Sequence, residues 1–437
     1  MIVPSKRAAL VLALVTFIAL LGFLADGALD ALLLANAIVL ILVFVDGRLA
    51  PGPERVTVTR HAPESFSVGR HTTFTYQWRN ESARHASLWI RETRPDLLDG
   101  TQPVRRISMP SDQAAQEELS VSGIRRGRET GGWIAVRSAG PLGLAFRQWR
   151  VDLPWSAMVF PSLPASRLQA SIAQAVRRRE AGLRSIRRLG EGRQFESLRE
   201  WVPGDDTRHI DWKATARRRK YITRQFEEER RQQVLVVLDA GRLLTEAIGG
   251  ESRMEFVVRA ALGLAFAANY HDDNVGVMVF SDEVHHYVSP QRGRRGLKQV
   301  LEVLAVVQPK LVEPDYPAAF RYLAVRNRKR ALTVFFSDVI DRLASEAMVA
   351  NVASLRPRHL PLVVTLRNPV LDATATVRPV DVGDAYRKAA AEELIAARAD
   401  ALLQMRRAGA LVLDVPPANA ARAVVDQYLE LKRRGRL

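Results

Sequence analysis

Five polar side chains stand at the ends of apolar runs, where an α/β protein does its chemistry. VLVVLDA, from Val234, carries Asp239; NVGVMVFSD, from Asn274, ends in Ser281 and Asp282; RALTVFFSD, from Arg330, ends in Ser337 and Asp338. Carboxylates and hydroxyls gathered at one edge suit a hard cation such as magnesium. Asp239, Asp282 and Asp338 could alternatively serve metal-dependent hydrolysis. An Asp in such a place also caps the next helix with no metal at all. Other chemistry is sparse. The 437 residues hold 8 histidines and no cysteine, which removes thiolate nucleophiles, thiolate metal sites and disulfides. No Ser-His-Asp spacing stands out, and His285-His286 reads as an exposed pair on a strand. GRRG at Gly293 lacks the Lys-Ser/Thr of a phosphate loop and the strand–GxGxxG–helix setting of a dinucleotide fold. An enzyme is therefore not expected.

A second stretch, LREWVPGDDTRHIDWKATARR from Leu198 to Arg218, is dense in charge and aromatics. Val202-Pro203-Gly204-Asp205 fits a type II turn. Asp205 or Asp206 would cap a helix starting near Thr207, with Arg208 and Asp211 as neighbours at i,i+3. Glu200, Asp205, Asp206 and Asp211 face Arg199, Arg208, Lys213 and Arg217. That near balance predicts a rigid, self-satisfied junction rather than a nucleic-acid grip. Two roles stay open: a docking surface, or a brace strapped down by Trp201 and Trp212.

The elements that must position these residues follow from hydrophobic period. Near-continuous apolar strands alternate with helices from Val234 to the C-terminus, which gives a mostly parallel sheet covered on both faces. Ligands of such sheets bind beyond the carboxyl ends of the strands, where strand order reverses. Between Arg55 and Pro161 the period is two: Phe74, Tyr76 and Trp78 alternate with Thr73, Thr75 and Gln77, and Leu88 pairs with Ile90. Short alternating strands with Gly and Pro turns predict an antiparallel sandwich. Gln169 to Arg188 is Arg-rich and reads as helical or loose.

Ahead of the sandwich, Ala8–Ala25 and Ala28–Val45 are apolar runs split by Asp26-Gly27. Each is about the length of a spanning helix. Lys6 and Arg7 precede the first; Arg48 and Arg55 follow the second. The positive-inside rule puts both flanks, and the bulk of the chain, on the cytoplasmic side of the cell's inner membrane. The expected domains are 1–50 (transmembrane helical hairpin), 51–165 (sandwich), 166–232 (junction) and 233–437 (α/β domain). A net charge of +17 favours anionic partners, lipid before nucleic acid, since the basic runs are short and scattered.

Two resemblances sharpen the reading. VLVVLDAGRLL, with VMVFSDEV and VFFSDV, resembles a von Willebrand factor A-type domain. That likeness implies a metal at Asp239 and Asp338. The family's Asp-x-Ser-x-Ser reads here Asp239-Ala240-Gly241-Arg242-Leu243, so both serines are missing. No cofactor is therefore expected, with magnesium as the ion if one binds. The segment Gly190–Arg230 resembles the signature of the domain of unknown function 58 family. Its typed positions include Arg199, Trp201, Pro203, Gly204, Asp205, Asp206, Arg208, Asp211, Trp212 and Lys213. This resemblance implies a membrane-anchored, non-enzymatic adaptor or scaffold. Its A-like domain would work with a MoxR-type AAA+ ATPase in assembling or maturing other proteins, without a small-molecule substrate.

Overall fold

A computed structural model describes residues 1–21, 28–100, 103–162, 194–202, 207, 210–227, 232–338, 342–356 and 358–437. The chain divides into two compact units, Met1–Ser162 and Leu163–Leu437. The expected hairpin and sandwich thus share one unit, and the junction falls in the other. The Arg-rich Gln169–Arg188 stretch lies outside the described residues.

The first unit opens with strand β1 (Ile2–Pro4), then helices α1 (Lys6–Leu21) and α2 (Ala28–Leu49), which pack on each other. Strands follow as β2 (Val56–His61), β3 (Ser65–Ser67), β4 (His71–Asn80), β5 (Ala86–Thr93), β6 (Arg105–Met109), β7 (Gln113–Ser122), β8 (Gly127–Gly131), β9 (Trp133–Ala139), β10 (Ala145–Val151) and β11 (Trp155–Phe160). They form a five-stranded sheet, β1-β10-β9-β5-β6, and two three-stranded sheets, β2-β4-β7 and β3-β11-β8. The alternation expected of a sandwich is present: Phe74, Tyr76, Trp78, Leu88 and Ile90 are all buried in one core with Trp155 and Val159.

That core carries a charge. Glu92 continues the inward parity of Leu88 and Ile90, and its side chain is fully buried. Arg94 pairs with it at 3.0 Å, with Arg60 at 4.0 Å and Arg105 at 3.9 Å. The Trp155 indole donates to it at 3.0 Å and the Tyr76 hydroxyl also donates. Burial and the neighbouring carboxylate push the Tyr76 hydroxyl well above its ordinary range.

Asp30–Leu49 is long and apolar enough to cross a membrane, with a mean hydropathy of 2.2. It is the one such helix found among the described residues; α1 has 16 residues. Both helices expose large apolar side chains, among them Leu14, Phe17, Leu34 and Ile41. Their feet are fixed to the β-strands. Near the end of α2, Asp46 is completely buried and accepts from the backbone N–H groups of Leu142, Leu144 and Ala145 at 2.7, 2.8 and 2.9 Å. Ahead of α1, β1 adds to the sheet edge through Val3↔Phe146, and the Ser5 hydroxyl donates to the Gly143 carbonyl at 2.7 Å.

The second unit begins with a β-ribbon, β12 (Gln194–Glu200) and β13 (Ile222–Glu227), with helix α3 (Trp212–Arg218) between them. The α/β domain then runs through β14 (Gln233–Asp239), the short pair β15 (Ala247–Ile248) and β16 (Glu251–Ser252), α4 (Arg253–Tyr270), β17 (Asn274–Phe280), β18 (Val284–Gln291), α5 (Gly293–Val306) and α6 (Tyr316–Arg326). It closes with β19 (Leu332–Phe336), α7 (Arg342–Leu355), β20 (Leu360–Leu366), α8 (Pro369–Thr376), α9 (Val382–Arg407), β21 (Leu411–Val415) and α10 (Ala420–Arg433).

Six strands form one sheet in the order β18-β17-β14-β19-β20-β21, parallel except for β18. Both faces are covered, as continuous apolar strands require. On β14, Val234, Val236 and Leu238 enter a core with α4, α5 and α10, while Leu235 and Val237 enter a second core with α6, α7 and α9. The chain leaves β14 for β17 on one side and later returns to β19 on the other. The order therefore reverses at β14, and Asp239 stands at its carboxyl end.

Candidate functional site

The sheet brings Asp239, Ser337 and Asp338 to one edge, as the strand ends predict. Asp239 is 2% exposed. Its Oδ2 accepts from the Ser337 hydroxyl at 2.7 Å and the Tyr316 hydroxyl at 2.8 Å; its Oδ1 accepts from Gly241 N–H at 2.8 Å. Tyr316, from the start of α6, carries no obvious signal in the sequence. Asp338 sits between two guanidinium groups, Arg253 from the first position of α4 and Arg398 from α9. Arg253 also pairs with Glu246 at 3.0 Å and donates to the Leu366 carbonyl at 2.8 Å. Arg398 reaches Asp414 at 2.8 Å and the same carbonyl at 3.1 Å.

These residues do not fit a hard cation. Such an ion needs several oxygens free to turn toward it. Here both oxygens of Asp239 already accept from protein donors, Gly241 and Leu243 bring no hydroxyl, and two arginines hold Asp338. The positive charge beside Asp338 comes from the protein itself. No group of three or more metal-ligating acids and histidines occurs among the described residues.

Ser281, Asp282 and His285 make a separate cluster, sharing no hydrogen-bond partner with Asp239 or Asp338 among the described residues. Ser281 Oγ lies 2.6 Å from Asp282 Oδ1 and 2.6 Å from His285 Nε2. Ser281 is wholly buried, so no substrate carbonyl can approach its hydroxyl in this conformation. Of the pair expected to be exposed on a strand, His286 is exposed, whereas the His285 side chain is only 16% exposed.

Asp239 supplies a pH signature. Burial pushes its carboxyl pKa up, against the lowering effect of hydrogen bonds from Ser337, Gly241 and Tyr316; the charge of Asp338 adds to the rise. A carboxyl raised in the folded state contributes stability that is complete below its unfolded pKa and is lost as pH rises through the folded value. Asp239→Asn removes this titration. Relative to wild type, the variant's melting temperature should improve as pH rises from about 4 to about 7. A constant difference across that range would show that Asp239 titrates normally.

The junction residues form a small module. Backbone pairing runs Arg199↔Thr223 and Glu200↔Ile222, and the Lys220 ammonium meets Glu200 at 2.9 Å. Trp201 N–H donates to the Tyr221 carbonyl, and the two rings stand edge to face at 6.4 Å. Thr207 stands in a 3-10 turn whose neighbours lie outside the described residues, and the α-helix proper starts at Trp212. Asp211 is extended (φ −85°, ψ 95°) and caps α3 by accepting from Ala214 N–H at 2.9 Å. Its own N–H is held by the Ile222 carbonyl at 2.8 Å, which keeps it out of the helix. A left-handed Arg219 (φ 54°) ends α3 after one further turn. Trp212 is 66% exposed and Lys213 is exposed, so Trp212 does not strap the segment down. Pro203, Gly204, Asp205, Asp206 and Arg208 lie outside the described residues.

A three-layer α/β domain with a self-satisfied polar edge, preceded by a helix-bearing ribbon, is the class that this geometry defines. Residues 197–399 match the family described as "Protein of unknown function DUF58". The match covers a little under half of the chain. Among curated proteins, the chain is 25% identical over 260 residues to "Uncharacterized protein Rv1480" of Mycobacterium tuberculosis and to "Uncharacterized protein Mb1516" of Mycobacterium bovis. Each alignment covers 57% of this chain and 82% of the relative. Among solved structures, proximal thread matrix protein 1 of the mussel byssus shares 9% identity over 46% of each chain, with a TM-score of 0.29. A CARDB domain from Pyrococcus furiosus shares 11% over 22% of this chain and 85% of that one, with a TM-score of 0.16. Such loose superpositions carry no argument here.

Proposed function

We propose that the chain is a membrane-anchored, non-enzymatic adaptor that binds a protein partner through the Trp212 helix. Its helix pair would be a hairpin in the inner membrane, with both β and α/β units in the cytoplasm. The exposed apolar surfaces of α1 and α2 and the basic flanks support that placement. The α/β domain would be a von Willebrand A-like domain whose metal function has been replaced by internal ion pairs. The partner would be a MoxR-type AAA+ ATPase, and the work would be assembly or maturation of other proteins.

One observation carries the docking reading. Trp212 exposes 66% of its surface on a family-signature position, and Tyr221, just ahead of β13, exposes 59%. Large aromatics anchor protein interfaces, and exposing them costs solubility unless a partner covers them. The polar edge of the sheet supports the non-enzymatic half, since its acids are already paired.

The test is co-purification of the full chain, from membranes, with the ATPase and a non-hydrolysable nucleotide. Trp212→Ala should weaken capture by roughly tenfold or more, the effect of losing an interface anchor, while the melting temperature stays near wild type. Undiminished capture by the folded variant would leave the helix as a brace only.

A further inference from the structure

We propose that the outward face of the five-stranded sheet in the first unit is a binding groove for an anionic phospholipid headgroup. The proposal rests on the membrane placement given above. The groove encloses about 1350 Å³ and is floored by β10, β9, β5 and β6. Six cations line it: Lys6, Arg7, Arg84, Arg91, Arg106 and Arg137. Among the described residues, no Asp or Glu lines it. Elsewhere in this unit Arg60, Arg94, Arg105, Arg147 and Arg150 are each paired with an acid. None of the six groove cations is paired with a carboxylate among the described residues. Arg84, Arg106 and Arg137 make hydrogen bonds only to neutral groups: the Leu49 carbonyl, Ser87 and Gln148.

The pattern is built by the register of the sheet. Arg106, Trp89, Arg137 and Gln148 stand opposite one another across four adjacent strands. Trp89 is packed edge to face by Phe146 at 5.1 Å and covered by the Arg106 guanidinium at 4.8 Å. A tryptophan and arginines on one surface suit the boundary between hydrocarbon and headgroups. The depth is right as well. Lys6 is the first residue of α1 and Leu49 the last of α2, and both line the groove. It therefore opens where the apolar helices leave the β-strands, at headgroup level on the basic side. Phosphate oxygens would meet the unpaired guanidinium groups, and acyl chains would lie along the exposed apolar helix surfaces.

The test uses the full chain in detergent, titrated with phosphatidylglycerol or phosphatidylcholine and read by native mass spectrometry. Wild type should retain phosphatidylglycerol and prefer it over phosphatidylcholine. Each cation removed near an anionic headgroup weakens binding about fivefold, so Arg91→Ala with Arg106→Ala should lose roughly twenty-five-fold. Arg91→Lys with Arg106→Lys keeps the charge and should retain most of the affinity. Arg70→Ala with Arg79→Ala removes the same charge outside the groove and should bind as wild type. Full affinity in the groove variant, or an equal loss in the control pair, overturns the groove. Competition by millimolar inorganic phosphate as effective as competition by lipid overturns the phospholipid as its occupant. Release of the protein from cell membranes by alkaline carbonate would instead defeat the membrane placement on which this rests.

Discussion

Asp338→Ala should destabilise the C-terminal unit by about 3–5 kcal/mol, the usual cost of breaking a buried ion pair from one side. The side chains of Asp338 and Arg253 are each 1% exposed, and that of Arg398 is 14% exposed. Removing the acid leaves two guanidinium groups facing each other with too few acceptors. Glu246 and Asp414 remain, at the rim, and answer only part of that charge. For a unit of this size the loss lowers the melting temperature by about 10 °C. Hydrogen exchange should show the opening at the carboxyl ends of β19, β20 and β21. Replacing Arg253 and Asp338 together with apolar residues of similar volume should recover much of the loss, because the pair's desolvation then vanishes. A single variant within about 1 kcal/mol of wild type would mean that water already screens the pair.

Glu92→Ala should cost at least as much in the N-terminal unit, again about 3–5 kcal/mol. Glu92 sits among Arg94, Arg60 and Arg105, whose side chains are 1%, 8% and 12% exposed; the more exposed Asp99 and Glu117 answer only part of the charge of Arg94 and Arg105. Its loss also strands the Tyr76 hydroxyl and the Trp155 indole in the core. Glu92→Gln keeps an acceptor for those donors and loses only the charge, so it should fall between alanine and wild type. Tryptophan emission reads this unit well: Trp78, Trp89, Trp133, Trp149 and Trp155 lie in it, and Trp155 bonds Glu92 directly. An unshifted fluorescence melt for the alanine variant would show the arginine cluster finding other acceptors.

The sandwich was legible because its strands obey a period of two. Phe74, Tyr76 and Trp78 could be placed inside by counting alone. The same counting puts Glu92 inside, since it follows Leu88 and Ile90 in phase; its three arginines, from other strands, could not be counted. The parallel sheet was legible from apolar runs, and its acidic edge from their last residues. The occupants of that edge were not. Arg253 and Arg398 are separated by most of the domain, and only strand order brings them to Asp338. Tyr316 reaches Asp239 from a helix start with no strand signal. The helix expected from Thr207 does not run on through Asp211, because that residue had two competing roles. Helix pattern drew it inward, but pairing with Ile222 across the ribbon keeps it extended. Asp46 was hidden differently: an acid at the end of an apolar run looks like an interfacial residue, and its three backbone donors lie about a hundred residues on.

Asp46 and β1 have a joint mechanical consequence. The helix pair is held to the β-strands at two points on either side of its foot, by three N–H···carboxylate bonds and by a strand edge. One attachment would leave a swivel; two remove both the swivel and the tilt. A torque on the sandwich must then turn the helices with it, and the bearing of the sheet face about the helix axis is set once, at folding.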